Sequence, residues 1–209
     1  MKRGFRMTFG LSVMVFFLCL GCSSLKKTLS LTPAEYLKWH ASADNKFVCQ
    51  DTANNLVFRI KAYPKEVNIA RCALDHCEPK ETLLKELKQE ESVTSFMLEV
   101  RGLNSSKEDL FSPAAGMNSS DKALYLSGGI RKELFAFSSD RDTIFCNSVI
   151  YEPSIPGHIR LLIDFDNPEH QPIKRILFND HSLSMIPVEF QFSPSANSNF
   201  PTLNLKNYE

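Results

Sequence analysis

The sequence predicts an α+β fold, a largely antiparallel β-sheet or sandwich with two or three helices in the N-terminal half. Three observations carry this expectation. Helix-start signals and helical apolar spacing fall before residue 92, and short runs of alternating apolar and polar residues flank them. From Lys132 onward such runs follow one another across short polar links, which favours antiparallel pairing. Phenylalanine is frequent, at 16 residues, and many stand at alternate positions, as in strands that share a core.

The chain opens with Lys2, Arg3 and Arg6, followed by apolar residues 7–20 and then Leu20-Gly21-Cys22. A basic, then apolar, then small-residue order resembles a lipoprotein signal peptide, to be cut before Cys22 with acyl (palmitate-type) chains on the new N-terminal cysteine. The competing expectations are simple cleavage without lipid and an uncleaved anchor. The apolar run is about 21 Å long as a helix at ~1.5 Å per residue, short of the ~20 residues a bilayer span requires. Residues 1–21 therefore read as signal, 22–31 as a lipid-attached tether reaching at most about 30 Å, and 32–209 as one domain with a sizeable core. With Lys2, Arg3 and Arg6 removed, the balanced 24 basic and 24 acidic residues become an acidic excess. That leaves no electrostatic footprint for nucleic acid.

Thr32, Pro33 and Glu35 form a helix start, with Thr32 as N-cap, Pro33 in the first turn and Glu35 closing a capping box. Trp39 on this helix is expected to clamp it to the sheet. Residues 46–50 and 55–62 read as strands around a turn at 51–54. Residues 65–74 and 79–91 read as helices, the second burying Leu83, Leu84 and Leu87. Residues 94–103 alternate again, and 104–121 read as a long surface loop with one helical turn at 107–111. Strands are expected at 133–138 and 143–151 in a hairpin, at 158–165 paired with 174–178, and at 183–192. The tail from 193 to 209 is expected to be mobile or laid along an edge.

The segment Leu31-Thr32-Pro33-Ala34-Glu35-Tyr36-Leu37-Lys38-Trp39, Tyr63-Pro64, and Asp142-Thr143-Ile144-Phe145-Cys146 leading into Tyr151-Glu152 resemble small uncharacterised lipoproteins of Bacteroidota. The resemblance implies an α+β domain and an outer-membrane location, and it transfers no activity. Lipoproteins of that group that are exported to the surface carry acidic residues directly after the lipidated cysteine. Here Ser23-Ser24-Leu25-Lys26-Lys27 has none, so the resemblance implies a domain facing the periplasm.

Cys49, Cys72, Cys77 and Cys146 follow the signal, and an even count in an oxidising compartment invites disulfides. Cys72 with Cys77 is the candidate pair. On an unbroken helix their Cα atoms would lie about 7.5 Å apart along the axis, so a bridge requires a turn between them. Cys72, Asp75, His76 and Cys77 are also the densest set of metal-ligand types, but no second Cys/His pair follows at finger spacing, and free buried thiols are the third alternative. Asp140 with Asp142, and Asp164 with Asp166 and Asn167, are turn-located oxygen clusters that could hold calcium or form a glycosidase pair, but no twelve-residue EF-hand loop surrounds either and Asp and Asn are ordinary turn residues, so the turn reading is favoured. No Gly-rich phosphate loop or Gly-x-Ser-x-Gly elbow occurs. No catalytic, cofactor or metal residue is assigned. The expectation is a lipid-anchored envelope protein with a non-enzymatic binding or assembly role, its partners the membrane through Cys22 and an envelope protein. The alternative is a small hydrolase of glycan or peptide acting through Asp140, Asp142, Asp164 or Asp166.

Overall fold

The computed structural model describes residues 29–42, 47–104, 109–138, 142–152, 156–192 and 200–206. Cys22, the signal and most of the tether, and the tail residues 193–199 and 207–209 lie outside them, as does Asp140. In chain order the described elements are β1 (Ser30–Leu31), α1 (Pro33–Ala41), β2 (Val48–Ala53), β3 (Leu56–Ala62), α2 (Glu66–Asp75), α3 (Lys80–Lys88), β4 (Val93–Gly102), α4 (Ser119–Ser127), β5 (Leu134–Phe137), β6 (Thr143–Glu152), β7 (His158–Asp166), β8 (Arg175–Phe178), β9 (Val188–Gln191) and β10 (Thr202–Leu203). Short 3-10 turns flank α4 on both sides.

Eight strands form one sheet in the order β2-β3-β4-β7-β6-β5-β8-β9, with every pairing antiparallel. The alternation seen in the sequence explains which face is buried. Leu56, Phe58, Ile60 and Ala62 on β3, Phe96, Leu98 and Val100 on β4, and Ile159, Leu161, Ile163 and Phe165 on β7 all point into one core. Strand β6 serves both halves of the sheet. Its first residues pair with β5 and its last with β7, and a register shift between Cys146 and Ser148 marks the bend. The sheet thereby curls nearly into a barrel, and its end strands meet where the Cys49 thiol donates to the Gln191 carbonyl at 3.0 Å. Phe58 and Phe178, from opposite halves, pack edge to face with centroids 6.0 Å apart.

Helices α1, α2 and α3 form an outer layer with Tyr36, Val67, Ala70, Ala73 and Leu83 buried in a second cluster that includes Met97 of β4. The Thr32 and Glu35 capping box starts α1. Trp39 packs edge to face on Phe47 and Phe200, which stack on each other at 4.1 Å. Helix α2 ends at His76, whose left-handed φ of 51° turns the chain back, so that Cys72 and Cys77 form a disulfide with Cα atoms 5.2 Å apart. That turn is what an unbroken helix lacks.

Several expectations change. A fourth helix, α4, lies beyond the N-terminal half, opened by an Asn118 and Asp121 capping box that resembles an ordinary polar turn in sequence. Residues 104–121 are not simply a surface loop, because Leu110 and Phe111 are buried in the core. The first hairpin turns at Asn54-Asn55, both at positive φ (47° and 65°), and not at 51–54. Strand β7 pairs with β4 and β6 instead of β8, which lies between β5 and β9. The expected strand over 183–192 shortens to β9 because Asp180 captures the backbone of the residues before it. Of the tail expected to be mobile or laid along an edge, residues 200–206 follow the second alternative: Thr202–Leu203 pairs in parallel with β1, and Leu203 and Leu205 are buried.

Buried His40 gives the fold a pH dependence. Its Nε2–H donates to the Ala62 carbonyl at 2.9 Å. Burial pushes the imidazole down from 6.5 to about 4, helped by Lys61, Arg71 and Arg59 and opposed by the Ala62 carbonyl. The unfolded chain binds a proton through this window while the native imidazole does not, so stability falls as pH drops from about 6.5 to about 4, by an expected ~2 kcal/mol. Urea midpoints of wild type and His40→Gln measured across that range check this. Only the wild type carries the extra slope.

Candidate functional site

The outward side chains of β2, β3, β4, β7 and β6 form cross-strand rows, since opposed residues on one face of a sheet are neighbours. Nearest the helices, Ser95, Asp164 and Ser148 stand side by side. Both hydroxyls donate to the Asp164 carboxylate, at 2.7 and 2.6 Å. The next row is Val48, Lys61, Met97, Leu162 and Ile150, with Met97 buried under the helical layer. Then comes Gln50, Arg59, Glu99, Arg160 and Glu152, and last Thr52, Val57, Arg101 and His158.

The third row is a ladder of alternating charge. Arg59 Nη1 lies 3.3 Å from Glu99 Oε2, Arg160 Nε lies 3.5 Å from Glu99 Oε1, and Arg160 Nη1 lies 3.4 Å from Glu152 Oε2. These partly exposed pairs each contribute at most about 1 kcal/mol, so they position the guanidinium groups more than they stabilise the fold. Over the last two rows lies an open groove of about 640 Å³ lined by Val48, Gln50, Val57, Arg59, Glu99, Arg101 and His158. Its size falls within the ~300–1,000 Å³ typical of small-ligand sites. Among the described residues neither Arg101 nor Lys61 has an ion pair. Burial, with repulsion from Arg59, pushes the Lys61 ammonium down to about 8 against the pull of Glu99.

The residues singled out in the sequence lie elsewhere. The disulfide occupies Cys72 and Cys77, so their sulfurs are not available as thiolate ligands, while Asp75 and His76 are exposed at the end of α2. Asp164 is held by two serines, Asp166 is exposed at the end of β7, and Asn167 organises its own turn, bonding the Gln171 backbone and Thr94 Oγ1. Asp142 is exposed just before β6. None of these carboxylates lines the groove. Burial raises the Cys49 thiol to about 11 and Cys146 to about 12, which keeps both neutral. Arg59, Glu99, Arg101 and Arg160 were missed because each alone is an ordinary outward strand residue. Only the register β3-β4-β7 puts them together.

A second uncovered face lies on the other half of the sheet. Leu177, Phe135 and Phe145 stand in one row across β8, β5 and β6, with Phe145 65% exposed, and Arg175 stacks over Phe137 at 4.0 Å.

No family model matches this chain, and neither does any curated protein or solved structure.

Proposed function

We propose that this protein is a lipid-anchored component of a bacterial envelope, held to the outer membrane by acylated Cys22, whose domain faces the periplasm and works as a binding module. The observation that supports a binding role is the charged groove on an uncovered sheet face, where Arg101 has no ion pair among the described residues. The anchor rests on the order of residues before Cys22 and on the resemblance to Bacteroidota lipoproteins. A hydrolase draws no support from Asp164, whose two oxygens already accept from Ser95 and Ser148.

Two acyl chains hold a protein firmly at a bilayer where one holds it only marginally. Cys22→Ala is therefore expected to abolish sedimentation with membranes, while the wild type leaves them only in detergent. On intact cells, added protease is expected to spare the wild-type domain. Unchanged, detergent-dependent association of Cys22→Ala would rule out the lipid anchor.

A further inference from the structure

The groove has more positive charge than its own carboxylate neutralises. Arg59 and Arg101 line it with Glu99, so two guanidinium groups meet one carboxylate, and Lys61, Arg160 and Glu152 stand on the same face beside it. Glu99 is shared between Arg59 and Arg160, and Glu152 is taken by Arg160. Arg101 is exposed and has no ion pair among the described residues, and only one guanidinium nitrogen of Arg59 is engaged with Glu99. We propose that this groove binds a phosphate-bearing ligand, gripped by Arg101 and the remaining N–H donors of Arg59; the inference rests on the binding-module reading and names its ligand class.

The geometry favours a phosphate over a carboxylate. A phosphomonoester carries about −1.5 to −2 near neutral pH and presents three acceptor oxygens, enough to receive both guanidinium groups at once, whereas a carboxylate presents two and one charge. Arg59 and Arg101 are diagonal neighbours on β3 and β4, because Arg59 opposes Glu99 while Val57 opposes Arg101. Diagonal Cβ atoms lie about 7 Å apart, within reach for two long side chains to fork onto one tetrahedral group. Val48 and Val57 supply an apolar floor for whatever carries the phosphate, and Gln50 supplies a neutral donor at the β2 side. A soluble phosphoester and a lipid headgroup present the same oxygens, and the test separates them.

The test is calorimetric titration of the full-length protein in nonionic detergent with inorganic phosphate, against chloride at equal ionic strength. Phosphate is expected to bind more tightly than chloride, and Arg101→Gln to weaken it by about 10-fold or more, the loss of one charge-assisted contact. Because Arg101 is exposed and has no ion pair among the described residues, the unfolding midpoint of Arg101→Gln should be unchanged. In phosphatidylcholine vesicles, adding phosphatidic acid separates the sources: suppression of phosphate binding assigns the ligand to a headgroup, and undiminished binding assigns it to a soluble phosphoester. Phosphate no better than chloride, or equal affinity in wild type, Arg101→Gln and Arg59→Gln, overturns the proposal. Such a failure leaves the Cys22 result untouched, so the ligand class and the anchored-module reading fail separately.

Discussion

Phe58→Ala is expected to lower stability by about 4 kcal/mol, the largest effect of any single truncation considered. Phe58 is fully buried at the centre of β3 and meets Phe178 from the far half of the sheet. Its ring is where the two walls of the near-barrel touch. Truncation loses the transfer energy of the ring and leaves a cavity that rigid strands on both sides cannot close, which places it in the ~3–5 kcal/mol range for buried Phe. Equilibrium urea unfolding measures the loss as a lower midpoint with an unchanged slope. A loss below about 1 kcal/mol would mean that the two walls do not pack on this ring.

Asp180→Ala is expected to cost about 3 kcal/mol. The carboxylate is buried and accepts from the backbone N–H of Ser182 at 2.9 Å, of Leu183 at 2.8 Å and of Ser184, and from Ser184 Oγ at 2.7 Å. Removing it orphans several buried donors together, and each unsatisfied group costs about 1–3 kcal/mol before relaxation. The same loop receives Ser112 N–H on the Ser182 carbonyl and Asn54 Nδ2 on the Ser184 carbonyl, so the damage should spread to the β2–β3 turn. Hydrogen exchange reads this directly: the amides of residues 182–184 lose protection in Asp180→Ala, while Asp180→Asn, which keeps one acceptor oxygen, retains part of it.

How much of this was legible in the sequence depends on the range of each interaction. The α1 start was readable because a capping box is a contact across three residues, and β3 and β4 were readable because burial of one face imposes a period of two. Helix α4 was not: its apolar signal is weak, and its cap residues, Asn118 and Asp121, are also common turn formers. The pairing of β7 with β4, across residues 103–157, is a tertiary choice that no local pattern encodes. The groove depends on that pairing. In the sequence Arg59, Arg101 and Arg160 are three separate outward residues, and only the register makes them one surface. The shortening of β9 has the same origin, since the hold of Asp180 on the following backbone outweighs the apolar run from 183 to 192.

The most direct test of the binding face is a phosphate titration of the full-length, isotope-labelled protein in detergent micelles, followed through backbone amide shifts. Saturable shifts are predicted at Gln50, Arg59, Glu99, Arg101 and His158, with Phe135, Phe145 and Leu177 on the other half of the sheet unmoved. Shifts confined to that second face, or none at the five groove residues, would contradict the account.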